Sequence, residues 1–158
     1  MVLRLALLVL FAMISSAAYA QRGNPMVPPD WVAEKRHSAT EPLRYTSPDG
    51  RAWLTLDAGP AVEGPQVSRA AGGERVTYFR KTKRFVAVSG FKDDRIFYRK
   101  SNLACRGTRW HHIALEYPAE DKRKMDALVT RIAHGMNRFD KDCRGPADRT
   151  SGGLVRGR

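Results

Sequence analysis

The sequence predicts an α+β domain: an antiparallel β-meander with a C-terminal amphipathic helix packed on one face of the sheet, tied by one disulfide. Three observations lead there. Four short runs rich in β-branched and aromatic residues succeed one another through short links. A stripe of apolar residues at three- and four-residue steps follows a proline. The chain's two cysteines stand just before the last strand and just after that helix.

Met1–Ala20 has the build of a secretory signal peptide. Arg4 supplies a positive start, Leu5–Ile14 an apolar run, and Ala18-Tyr19-Ala20 a small-residue cleavage site. The run is too short to span a bilayer comfortably, and no cysteine follows the site to take a lipid. A periplasmic or secreted location follows as an expectation, with cleavage after Ala20 and no transmembrane segment in the mature chain. Residues 21–44 hold Pro25, Pro28, Pro29 and Pro42 among few apolar residues, so they read as an extended Pro-rich leader.

The domain itself is expected over residues 45–143. Tyr45-Thr-Ser-Pro-Asp-Gly50 is a turn signal, and Arg51–Asp57 the first strand. Ala58–Gly73, with Pro60, Gly64, Pro65, Gly72 and Gly73, is a long loop with room for one helical turn. Glu74–Arg80 and Arg84–Gly90 form a hairpin about Lys81–Lys83, and Arg95–Lys100 is the next strand. Thr108–Tyr117 follows. His111, Ile113, Leu115 and Tyr117 are its more apolar side and face the core. Trp110, His112, Ala114 and Glu116 face away. Pro118 stops the strand and opens a helix, with Glu120 and Asp121 at the positive end of its dipole. Met125, Leu128, Val129, Ile132, Met136 and Phe139 are the buried stripe. Residues 144–158 are rich in Gly and Arg, have no periodicity, and read as a disordered basic tail.

Lengths decide the disulfide. Ten strand residues span roughly 33 Å, and twenty helical residues from Ala119 roughly 30 Å. A helix folded back over its strand ends where the strand began, so Cys143 meets Cys105. Closing a loop of about 39 residues stabilises by about 4 kcal/mol in the chain-entropy description. An oxidising compartment and an even cysteine count favour the bridge over two free thiols.

Ser47-Pro-Asp-Gly-Arg-Ala52, Val76-Thr-Tyr78, Phe85-Val-Ala-Val-Ser-Gly90, Arg95-Ile-Phe-Tyr-Arg-Lys100 and Leu115-Glu-Tyr-Pro118 before a helix form a series. Together they resemble a group of small secreted bacterial proteins of unassigned function. More distantly the series is similar to PsbP/Mog1-like α/β-sandwich domains. The resemblance covers about Ser47–Phe139 and implies an antiparallel sheet with helices packed on it, used as a binding or accessory module. It transfers no functional residue. The first strand and helix of such domains have no counterpart in the leader. The helix expected between the first two motifs is broken here by Pro60, Gly64 and Pro65, leaving one sheet face thinly covered.

Catalytic and metal chemistry find little support. His111 and His112 are strand neighbours and point to opposite faces, and His37 and His134 lack a ligand at useful spacing. Cys105 would be a nucleophile only if unbridged. The serines sit in no Gly-x-Ser-x-Gly elbow, and Asp93-Asp94 suits a tight turn better than an acid/base pair. No enzyme, metal or cofactor is expected; a small hydrolase is the least favoured alternative.

Charge is the remaining signal. The chain carries 28 Lys and Arg against 16 Asp and Glu, a formal +12, and only Arg4 is lost with the signal peptide. Such a balance suits a small basic binding or accessory module contacting acidic envelope components, though an Arg-rich solvated surface would also account for it. Specific recognition of nucleic acid is not expected. In a meander alternate connections share an end of the sheet. Arg80, Lys81, Lys83, Arg84, Arg99, Lys100, Arg106, Arg109, Arg138, Lys141 and Arg144 should therefore gather around the cystine as a polyanion-binding pole. Glu74, Asp93, Asp94, Glu116, Glu120 and Asp121 should lie at the other end. The alternative is a structural or inhibitory partner of another exported protein, using an exposed sheet face around Trp110 and Phe97.

Overall fold

A computed structural model describes residues 24–67, 71–137 and Cys143. The expected signal peptide and basic tail lie outside the described residues. The elements are β1 (Val32–Ala33), β2 (Leu43–Thr46), β3 (Trp53–Pro60), β4 (Glu74–Lys81), β5 (Phe85–Lys92), β6 (Arg95–Ala104), β7 (Arg109–Pro118) and α1 (Lys122–Gly135). Short 3₁₀ turns stand at Ala61–Glu63, Cys105–Gly107 and Ala119–Asp121. All pairings are antiparallel, and the seven strands lie in the order β1-β2-β3-β7-β6-β5-β4. Strands β4 to β7 are the expected meander, and β3 closes onto β7 rather than onto β4.

Strand register sorts the side chains. Leu43 pairs with Leu56, Tyr45 with Leu54, Leu54 with Leu115, Leu56 with Ile113, Tyr98 with Leu115 and Ile96 with Tyr117. Alternation puts all of these on one face. They form a single buried cluster with Met125, Ile132 and Met136 from the helix and its end. Leu54, Leu56, Leu115, Ile132 and Met136 are wholly enclosed. The inward side chosen for β7 is thus the one that carries Ile113, Leu115 and Tyr117 into the core.

The helix is shorter than its apolar pattern suggested. Pro118 leads into a 3₁₀ turn, and regular α-helix occupies 14 residues, roughly 21 Å. Residues beyond Gly135 carry the chain the rest of the way. Cys143 is bonded to Cys105 with their Cα atoms 4.5 Å apart. On the strand side, Cys105, Arg106 and Gly107 have φ of 51°, 55° and 89°, a sharp reversal between β6 and β7. Thr108 donates both its N–H and its hydroxyl to the Cys105 carbonyl, at 3.2 and 2.8 Å.

Two expectations change. The Pro-rich stretch supplies β1 and β2, and Met26 within it is 1% exposed and part of the main cluster. A Cβ on Gly135 would stand 2.9 Å from Met26 Cγ, so the helix end admits Met26 because glycine is there. Only the prolines and scarce apolar residues made this stretch resemble a leader.

The sheet face around Trp110 and Phe97 is also not exposed: they are 8% and 2% accessible. Guanidinium groups lie over its rings, Arg99 over Phe97 at 4.6 Å, and Arg95 and Arg44 over Trp53 at 3.9 and 5.0 Å. The segment after β3 returns across it, where Gln66 donates to Asp57 at 2.9 Å.

Met26 gives the sharpest test of this packing. Met26→Ala should lower unfolding free energy by about 2–5 kcal/mol, as for buried large-to-small changes, measured by urea titration of the full chain. An unchanged midpoint would put residues 24–27 outside the core.

Candidate functional site

The basic residues expected around the cystine divide into two kinds. The hairpin between β4 and β5 turns through Lys83 and Arg84, closed by Thr82 N–H to the Phe85 carbonyl at 2.8 Å. Leu103 N–H donates to the Arg84 carbonyl at 2.7 Å, which ties this hairpin to the end of β6. Arg80, Lys81, Lys83, Arg84 and Arg106 are all exposed there, and Arg109 is half-buried at the start of β7. Arg80 also lies over the Phe85 ring at 5.5 Å. Arg138, Lys141 and Arg144 fall outside the described residues.

Lys100 and Arg99 are of the other kind. Lys100 is 8% exposed. Its Nζ donates to the Ala133 carbonyl at 2.8 Å and to Asn137 Oδ1 at 3.5 Å. The ammonium thus caps the Ala133 carbonyl in the last turn of α1, where the helix dipole favours a cation, while burial pulls its pKa below the usual lysine value. Lys100 is no part of a surface site, because its place on β6 faces the core. Arg99 is held by Glu74, with Nη1 to Oε2 at 3.1 Å and a second contact from Nη2 to Oε1. That guanidinium and burial work in opposite senses on the Glu74 carboxyl, and the Arg99 bonds win, holding it below the usual value. Glu74 therefore belongs to the covered sheet face and not to an acidic pole.

The far end does gather acids. Asp93 and Asp94 form the β5–β6 turn, and the Asp94 carbonyl accepts from Ala119 N–H at 2.8 Å. Arg51 reaches both Glu120 and Asp121, so this end is partly neutralised. The Lys83-Arg84 and Arg106 connections contain no acidic residue.

One polar group was not foreseen. Asp57, His112 and Ser101 are register partners across β3, β7 and β6 and share a face. His112 Nδ1 and Ser101 Oγ are 2.8 Å apart. All three line a small cavity with Thr55, Gln66, Val67 and Arg99, about 100 Å³ in volume. Acid, imidazole and hydroxyl are the residue types of a nucleophilic triad. Here Ser101 is 0% exposed and His112 5%. An acyl carbon could reach Oγ only if the segment through Gln66 and Val67 moved away. As it stands the row satisfies polar groups beneath that cover. His112 and Ser101 are eleven residues apart on a tight strand pair, but Asp57 joins them only through the distant β3–β7 pairing. The expectation that His111 and His112 diverge stands, since they occupy successive positions of β7. Among the described residues no group of three or more His, Cys, Asp or Glu could hold a metal ion.

Burial lowers the His112 pKa from its ordinary 6.5, against the opposing pull of the Asp57 carboxylate. The unfolded chain therefore binds the proton more readily. The stability tied to neutral His112 is complete above pH 6.5 and is lost as pH falls through the window below it. His112→Gln, which keeps a partner for Ser101, should flatten the fall in urea midpoint between about pH 7.5 and 5. An unaltered slope would show that His112 is not the titrating group.

Among the described residues no helix is long and apolar enough to cross a membrane. No protein-family model matches the chain, and no curated protein matches it.

Proposed function

We propose that the protein is an exported binding or accessory module that engages an acidic partner through the end of the sheet carrying Lys81, Lys83, Arg84 and Arg106. One observation carries this reading. Two neighbouring connections, joined by the Leu103–Arg84 bond at 2.7 Å, present exposed cations with no acid between them in sequence. Several cations of the strands stack on rings or are buried. Arg44, Arg75, Arg95 and Arg99 lie over aromatic rings, and Lys100 is inside. Solvation alone would spread charge evenly over the exposed surface; the hairpin end concentrates it.

Export rests on the signal-like start and on the Cys105–Cys143 bridge, which suits an oxidising compartment. A helix laid over one sheet face, as in the PsbP/Mog1-like resemblance, is part of the same reading: a rigid carrier for a charged end. At physiological salt the field of such a pole reaches only about 8 Å. The partner, an acidic envelope polymer or an acidic stretch of another exported protein, must touch it.

Replacing Lys81, Lys83 and Arg84 together by Ser should bring the protein off an anionic column at clearly lower salt. Replacing Lys122, Arg123 and Lys124 by Ser removes equal charge from the far end and should shift elution less. Lys100→Met, which deletes a buried charge, should shift it least of all. Equal shifts for the two triple variants would mean that net charge, and no particular place, governs retention.

A further inference from the structure

The basic hairpin continues into a strand that ends the sheet. β4 is last in the order, and among the described residues no strand lies beyond it. The opposite edge, β1, has two residues; β4 has eight. Most edge strands of this length are shielded by bulges or charges against pairing with other chains. Here a bulge between Val76 and Tyr78 breaks the register, which leaves Tyr78–Lys81 as the regular stretch. Tyr78 is 46% and Phe79 38% exposed. Alternation puts Tyr78 and Arg80 on one face and Phe79 and Lys81 on the other. Each face of the strip thus offers one aromatic ring and one cation.

We propose that β4 receives an extended acidic segment of a partner protein as an eighth strand over Tyr78–Lys81. This rests on the basic-end reading and names the form of its partner. Backbone pairing along an open edge supplies affinity, and alternate side chains supply selectivity. The charges choose the occupant. A second copy paired over the same strip would crowd four cations, Arg80 and Lys81 of each molecule, into one short ladder with no acid among them, and their mutual repulsion opposes it. A segment bearing Asp or Glu on both faces turns that repulsion into attraction. The cations that guard the edge against self-association thereby select an acidic strand.

The probe is an acetylated, amidated peptide of repeating Glu-Glu-Val-Val, which puts acids on both faces of an extended strand, titrated at low salt into the full-length mature protein. Its control is the same peptide with every internal amide N-methylated, which keeps the charge and cannot pair as a strand. The parent should bind about tenfold or more tightly than the control, the worth of one or two net hydrogen bonds, and should slow hydrogen exchange at Lys81. Equal binding of the two peptides would overturn strand addition and leave attraction by charge alone. So would a dimer in sedimentation that the peptide does not disperse, since a second copy would then hold the edge. If the parent peptide does not bind while the Lys81, Lys83, Arg84 triple variant still elutes early, the edge proposal falls and the basic-end reading survives. If that variant elutes unchanged, both fall.

Discussion

A sheet has two faces, and among the described residues there is one α-helix, of 14 residues. The rest of the structure answers that shortage. One face takes the apolar solution, in which Met125, Ile132 and Met136 join Leu54, Leu56 and Leu115. The leader stretch adds Met26 to the same cluster. The other face has no such supply, and its rings lie under guanidinium groups instead. Each stack of this sort is worth about 0.5–1 kcal/mol where solvent remains near. The long arginine stems cover carbon while their charged ends stay wet. Part of the chain's positive charge is therefore roofing. Its net charge overstates what is free to act on a partner.

Lys100 and Arg99 show the division at one point on β6. They are neighbours in sequence and point to opposite faces. Lys100 goes into the helix side, where its ammonium meets the Ala133 carbonyl in the last turn of α1. Arg99 goes to the other side, where Glu74 fixes it over Phe97. Neither is a surface cation, although sequence position alone would put both beside the hairpin. The lysine links β6 to the helix end, and the cystine separately ties the end of β6 to Cys143.

What the sequence disclosed follows from what is local. β4 to β7 follow one another, so period-two alternation and short turns reveal both the strands and their neighbours. The helix stripe and the strand length together place Cys143 beside Cys105. Three features were hidden because they depend on distant pairing or on polar cover. β2 is four residues long and sits among prolines, too short for alternation to stand out. Trp110 and Phe97 lie on the outward phase of their strands, and nothing in a hydrophobic pattern announces that both are buried there, Phe97 under Arg99. The Asp57–His112–Ser101 row exists only because β3 pairs with β7, and that pairing joins residues more than fifty positions apart. Nor could sequence position tell that Lys100, one of the cations expected at the basic end, lies inside.

Availability of charge is thus a matter of place in the meander. Within the strands Arg44, Arg75, Arg80, Arg95 and Arg99 lie over rings, and Lys100 meets a helix-end carbonyl. The connections at the cystine end carry Lys83, Arg84 and Arg106, while those at the far end carry Asp93 and Asp94 and bring Glu120 and Asp121 to Arg51. β4 is an edge strand, flanked on one side among the described residues. Lys81 is exposed there, while Arg80 lies over the Phe85 ring. Cations and a sheet edge coincide there, and the proposed strand addition draws on both.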